Sequence, residues 1–195
     1  MIKDLILQDN TNQRLPCVVL LDGSTSMDGK AIDNLNQGLS ILERELKADD
    51  VASLRVQLLL LRIGGHSDVE ILTDWTDAID FSAPQVEANG TTPLGKGVNV
   101  ALRELEEQKK KYRQNQITYN RPWLFIITDG APTDQNWERA AEKAVEAEKK
   151  GKVVVFPIGT EEADFEILNK FSSRGAIMLK NLDFKELFVW LSQSV

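Results

Sequence analysis

Residues 18–29 read VVLLDGSTSMDG. Together with the preceding LPC, the apolar run 15–21 has no polar alternation and ends abruptly at Asp22. A short strand without alternation is one buried on both faces, which is the condition of a strand inside a parallel sheet covered by helices. Beyond it, Asp22, Ser24 and Ser26 place three oxygen-bearing side chains two residues apart. Turns favour Asp, Ser and Gly in any case, so the chemistry of this stretch depends on what the rest of the chain brings to it.

Working outward, Ile32, Leu35, Leu39, Leu42 and Leu46 recur at helical spacing and predict a helix after the DGSTSM loop. SLRVQLLLLRIG (53–64) reads as a second strand, and VEILT (69–73) pairs beside it after a turn, as an antiparallel edge strand. A polar loop carrying Pro84 and Gly90 leads to a second helix with Leu94, Val98, Leu102, Leu105 and Tyr112 on one face. PWLFIITDG (122–130) and KVVVFPIG (152–159) are further strands, with the alanine-rich helix WERAAEKAVEAEKKG (137–151) between them, stopped by Gly151. A short helix (163–171), a strand around AIMLK (176–180) and a last helix capped by Asp183 complete the series. Strands alternating with helices predict one α/β domain over residues 1–195, doubly wound, with a mainly parallel central sheet and helices on both faces.

Composition narrows the classes of partner. The formal net charge is −7, whereas nucleic acids and anionic membranes require a basic face. No apolar run reaches the length of a membrane span, and MIKDLILQDN lacks the apolar core of a signal peptide. Cys17 is the only cysteine, sits inside the first strand and reads as a small core residue. The expectation is a soluble, cytoplasmic protein. His66, the only histidine, falls in the turn GGHSD and reads as a solvated loop residue. The run EEQKKKYR reads as a solvated helix face, and 109–121 as a frayed helix end leading into the next strand.

In open α/β sheets the ligand crevice lies outside the carboxyl ends of the strands. That rule gathers Asp22, Ser24 and Ser26 with Asp129, which tops the strand at 122–128, and with Thr91 and Thr92 of ANGTTPLG (88–95). Two carboxylates and several hydroxyls meet there with no histidine or thiol. All-oxygen donors suit a hard divalent cation (Mg²⁺, Mn²⁺ or Ca²⁺) rather than zinc. Asp28 and Asp134 border the site as turn or rim residues, and Trp137 is placed to touch a ligand at the rim.

With these pieces in this order, the sequence resembles the von Willebrand factor A domain family, whose metal-ion-dependent adhesion site uses a DxSxS loop, a later Thr and a later Asp. DGSTS supplies Asp22, Ser24 and Ser26, and ITDG supplies Asp129. Aligning the family's GT-x-LG stretch on Gly95 assigns the threonine to Thr92, with the adjacent Thr91 as the alternative. Within the family, YNRPWLFIITDGAPTD resembles the bacterial TerY-type branch of tellurium-resistance and stress-response proteins, although the first loop departs from that branch's DTSGS wording at its two non-ligating positions.

The resemblance implies that the serines and the threonine bind the ion directly and that the aspartates act partly through water. One coordination position is then left to a Glu or Asp of a partner protein. It further implies companions such as a protein kinase or a PP2C-type phosphatase. The expectation is therefore a non-enzymatic, metal-dependent interaction module. An Mg²⁺-dependent phosphotransferase of the haloacid-dehalogenase type is the enzymatic alternative. It needs a second acid two residues after the first, where this chain has Ser24.

Overall fold

The computed structural model of the chain describes residues 10–180; the predicted Asp183-capped helix and Trp190 lie outside the described residues. Strand β1 (Leu15–Asp22) is buried at all eight positions. It is followed by helix α1 (Lys30–Ala48), a single turn α2 (Ala52–Arg55), strands β2 (Val56–Ile63) and β3 (Val69–Asp77), and helix α3 (Leu94–Gln114). Strand β4 (Trp123–Thr128), helix α4 (Trp137–Lys149), strand β5 (Val154–Gly159), the short helix α5 (Phe165–Leu168) and the two-residue β6 (Ile177–Met178) complete the order. The sheet runs β3-β2-β1-β4-β5-β6, with every pair parallel except β2–β3.

The two faces of β1 explain why the sheet is sandwiched. Cys17, Val19 and Leu21 join one core with Leu35, Leu39, Leu42 and Leu46 of α1, together with Leu58, Leu60, Phe125 and Ile127. Val18 and Leu20 join the other, with Val98, Ala101 and Leu105 of α3 and Ala140 and Ala144 of α4. Successive strand side chains point to opposite faces, so a strand apolar at every position must be covered twice. Helix α3 lies close to the sheet through Gly97, where an added Cβ would fall 2.6 Å from Ile63 Cγ2 and 3.0 Å from Leu20 Cδ1.

Three expectations need correction. Residues 53–55 belong to the helical turn α2, and the strand begins at Val56. Asp49 Oδ1 accepts from the amides of Val51 and Ala52 at 2.9 and 2.8 Å, which starts that turn before the β-branched run takes over. The strand predicted over 176–180 pairs only at Ile177 and Met178. The run EEQKKKYR is not a solvated face throughout, nor is 109–121 frayed: α3 continues to Gln114, and Gln108, Lys109 and Tyr112 are buried. Tyr112 Oη and Gln108 Nε2 both donate to Gln57 Oε1 at 2.5 Å, Gln57 Nε2 donates to Asp77 Oδ1 at 2.8 Å, and buried Arg14 ion-pairs with Asp77 at 3.2 Å. This polar cluster closes the amino edge of the sheet, opposite the loops that carry Asp22 and Asp129.

No helix among the described residues is long and apolar enough to cross a membrane. Burial pushes the Cys17 thiol far above its ordinary value. A thiol reagent at mildly alkaline pH is therefore expected to leave Cys17 unmodified in the folded protein and to modify it once denaturant is added. Gly97→Val is expected to cost about 1–3 kcal/mol through overpacking against Ile63 and Leu20, read as a lower urea midpoint at unchanged slope.

Candidate metal centre

Strands β1 and β4 are parallel neighbours whose helical connections leave toward opposite faces of the sheet, so their carboxyl ends flank the crevice where such folds bind ligands. β1 ends on Asp22 and β4 on Thr128, with Leu21 in register with Ile127. Gly23 extends the ladder by one bond, its N–H donating to Ile63 O at 2.9 Å, and its carbonyl accepts from Asn89 N at 2.8 Å. A Cβ here would fall 2.4 Å from Arg62 Nε, so a side chain at this position would have to displace Arg62 from beneath the loop. The chain then turns through a short 3₁₀ segment, Thr25–Met27, which is pinned by the fully buried Met27.

The threonine-bearing loop is tied to this turn. Thr25 N and Thr25 Oγ1 both donate to Gly90 O at 3.1 Å, and Gly65 N donates to Asn89 O at 2.8 Å. Gly90 sits at φ 79°, where a side chain would also run into Gly65 N at 2.6 Å. Arg62 lies beneath both loops. Its Nη2 donates to Asn89 Oδ1 at 2.9 Å and to Gly23 O at 3.4 Å, and its Nη1 reaches Glu70 at 3.4 Å.

The named side chains converge. Asp22 is solvent-free; its Oδ1 accepts from Ser24 N at 2.9 Å and its Oδ2 from Thr128 Oγ1 at 2.5 Å. Ser24 Oγ and Ser26 Oγ are hydrogen-bonded at 2.9 Å, and Ser26 Oγ donates to Asp129 Oδ1 at 2.8 Å. Thr92 makes no hydrogen bond to these groups, but its hydroxyl faces the same glycine: a Cβ built on Gly130 would stand 3.7 Å from Ser26 Oγ and 3.8 Å from Thr92 Oγ1. Thr92 is buried and Thr91 exposed. Thr92 is also held by Thr133, whose Oγ1 accepts from Thr92 N at 3.1 Å and whose N–H donates to Thr92 O at 2.9 Å.

Asp134 is a capping residue rather than part of this cluster. It accepts from Gly95 N at 3.1 Å and Lys96 N at 2.9 Å. Helix α3 has no side-chain cap of its own at Pro93, so the loop after β4 satisfies the first turn of the helix that carries Thr92. Trp137 packs against Gly95 and stacks on Phe171 at 6.0 Å, with Lys170 Nζ 5.2 Å from its ring centre. His66 is exposed, as expected.

Burial raises the pKa of Asp22, against hydrogen bonds from Thr128 and Ser24 and with a further push from the Asp129 charge. Burial likewise raises Asp129, offset by Ser26 and reinforced by the negative charge of Glu162. Two carboxylates thus share one corner with the hydroxyls of Ser24, Ser26, Thr92 and Thr128, and among the described residues neither carboxylate makes an ion pair. Among the described residues no three His, Cys, Asp or Glu side chains converge, so an ion here would rest on hydroxyl oxygens. The donor set fits a hard divalent cation: oxygen only, low in charge, and gathered from three loops.

Residues that shape the site but were missed in the sequence are Thr128, Arg62, Asn89 and Thr133. Arg62 left a signal, as a lone charge inside the apolar run LLLLRIG. The other three are polar loop or strand-end residues like many others.

A doubly wound α/β domain with such a site at its switch point defines a class, and the comparisons name it. The family model for the von Willebrand factor type A domain matches residues 17–189, and the chain belongs to that family. Solved structures share the fold. The ArnB paralog VWA2 from Sulfolobus acidocaldarius is 18% identical with a TM-score of 0.60, over 94% of this chain and 45% of that one. The pilus adhesin SpaC from Lactobacillus rhamnosus GG, in its open conformation, is 12% identical with a TM-score of 0.77, over 94% and 30%. The vWF domain of the type V pili tip protein Mfa5 from Porphyromonas gingivalis is 11% identical with a TM-score of 0.62, over 93% and 95%. The chain thus spans less than half of the first two proteins. No curated protein matches it in sequence.

Asp134→Ala is expected to lower stability by about 1 kcal/mol through loss of the cap on α3, and Asp134→Asn to recover most of it, both measured by urea denaturation.

Proposed function

We propose that this von Willebrand factor type A domain is a metal-dependent protein-interaction module, in which Ser24, Ser26 and Thr92 bind Mg²⁺ and Asp22 and Asp129 supply the charge around it. The family is one of protein-interaction modules. The observation that carries the metal reading is the continuous run Ser24–Ser26–Asp129 at 2.9 and 2.8 Å, with Ser26 Oγ and Thr92 Oγ1 both facing Gly130. When bound, the ion offers a coordination position to a Glu or Asp of another protein. Mn²⁺ and Ca²⁺ suit the same oxygens; cytoplasmic abundance favours Mg²⁺.

The chain's own residues divide the work. Asp22, behind the serines and held by Thr128 and Ser24 N, is fixed in orientation and supplies charge from below. Ser26 is exposed and Asp129 half-buried, so both reach the surface where a partner docks. Two carboxylates match the formal charge of a dication, but in this reading its direct ligands are neutral hydroxyls and the aspartates act from further out, so the ion still attracts an external acid. The net charge of −7 does not prevent this, since diffuse surface charge is screened beyond about 8 Å at physiological salt.

The phosphotransferase reading is disfavoured: a nucleophilic aspartate must be reachable, and Asp22 is solvent-free with both oxygens accepting hydrogen bonds. Membership of the TerY-type stress-response branch, with a protein kinase or PP2C-type phosphatase as the protein offering the carboxylate, rests on the wording YNRPWLFIITDGAPTD. A cytoplasmic location is supported by the single, buried, unpaired cysteine.

Mg²⁺ at about one hundred times its dissociation constant is expected to stabilise the protein by about 2.7 kcal/mol, a rise in Tm of roughly 5–10 °C. Asp22→Ala and Ser24→Ala are expected to abolish that rise. Differential scanning calorimetry with Mg²⁺ and with EDTA reads it directly, and a rise unchanged in both variants removes the metal from this site. A pull-down from native lysate in the same two buffers then identifies the partner.

A further inference from the structure

Two stretches of the chain break its acidic balance. Residues 108–121 (QKKKYRQNQITYNR) and 149–152 (KKGK) hold eight of the 23 lysines and arginines and none of the 30 aspartates and glutamates. The fold brings them together. The first is the end of α3 and the entry to β4, the second the end of α4 and the entry to β5, and β4 and β5 are parallel neighbours. Val154 N donates to Pro122 O at 2.8 Å, Lys109 Nζ donates to Lys152 O at 3.4 Å, and a Cβ on Gly151 would stand 3.3 Å from Arg121 Nη2. The result is one basic corner at the amino end of the sheet, the opposite pole from Asp22 and Asp129.

Helix dipoles account for part of this charge, since cations are favoured at helix carboxyl ends, and Lys111, Arg113 and Lys149 sit in last turns. They do not account for Arg121 and Lys152, which lie beyond both helices and are exposed. Lys109, Lys110 and Lys150 pair with Glu106, Glu107 and Glu146. Lys111, Arg121, Lys149 and Lys152 have no ion-pair partner among the described residues. Between α3 and α4 the corner opens into a recess of about 210 Å³, floored by Leu102, Leu105, Ala147 and Val153. Lys152 stands at its edge, as do Lys109 and Lys150 with their partners Glu106 and Glu146. The recess is smaller than a drug-sized ligand needs and admits one large apolar side chain.

We propose that this corner is a second docking surface, for an acidic segment of a partner protein that seats one leucine or phenylalanine in the recess. The unpaired cations supply attraction and speed of encounter, while the apolar side chain fixes the register of the segment. A nucleic acid fits less well. The rings of Tyr112, Tyr119 and Trp123 are buried or half-buried in packing, so no exposed ring is offered for a base to stack on, and phosphates have no use for an apolar floor. A membrane also fits less well, because none of the exposed large apolar side chains among the described residues lies in 102–121 or 147–153 to insert beside headgroups. This surface is independent of the metal position and works through the chain's own cations.

The probes are fluorescein-labelled, capped peptides of alternating aspartate and glutamate with a central Leu, Phe or Gly. Binding is read by fluorescence anisotropy at low salt in EDTA, which keeps the metal position out of the measurement. The Leu or the Phe peptide is expected to bind about tenfold more tightly than the Gly peptide. It is also expected to bind more tightly than an equally charged oligothymidylate or vesicles carrying phosphatidylserine. Arg121→Gln combined with Lys152→Gln is expected to weaken that binding about five- to tenfold, and the charge-matched control, Lys30→Gln with Lys96→Gln, by less than about twofold. All four residues are exposed, so both double variants are expected to fold as the parent does. Equal binding of the Leu, Phe and Gly peptides, an equal loss in the two double variants, no binding by any peptide, or tighter binding of the oligothymidylate or the vesicles overturns the proposal.

Discussion

The parallel pairing of β1 with β4, locked at its carboxyl end by the hydrogen bond from Thr128 to Asp22, is the constraint from which the site follows. Each strand is apolar to its last residues and then ends in an oxygen-bearing side chain, so burial of both faces fixes where the polar ends must emerge. The pairing brings residues 106 positions apart in sequence within hydrogen-bonding distance. Ser24 and Ser26 follow from Asp22 by local geometry, and Asp129 follows from Thr128 by one peptide unit. Only Thr92 needs a separate device, and the molecule supplies it: loop 88–92 is tied to the first turn through Gly90 and Asn89, and the loop after β4 holds Thr92 through Thr133 and caps its helix through Asp134.

Much of this was legible in the sequence because burial writes itself into composition. The unbroken apolar run of β1, the heptad-like leucines of α1 and the alanines of α4 gave the layers. Knowledge of where doubly wound sheets bind ligands then turned strand ends into a site. Asp22, Ser24, Ser26 and Asp129 are brought together as that rule requires, and of the two threonines the buried Thr92, not the exposed Thr91, stands beside Ser26 and Gly130. What stayed hidden depends on long-range polar pairing. Tyr112 already belonged to the apolar stripe of α3, but nothing in EEQKKKYR announces that Gln108 and Lys109 are buried, because their partners Gln57 and Lys152 lie elsewhere in the chain. Likewise Arg62 declares itself as an oddity in a leucine run, but its role under Gly23 and Asn89 appears only once the loops are assembled.

The two ends of the sheet spend polar groups differently. At the amino edge, Arg14, Asp77, Gln57, Tyr112 and Gln108 form a buried network whose charges compensate one another within the chain. At the carboxyl edge, Asp22 and Asp129 have hydroxyl and amide partners but, among the described residues, no ion-pair partner, and both are pushed toward the protonated form by burial. Buried charges that serve stability alone come paired. That contrast within one molecule is what supports the proposal that the carboxyl-edge polarity serves a ligand.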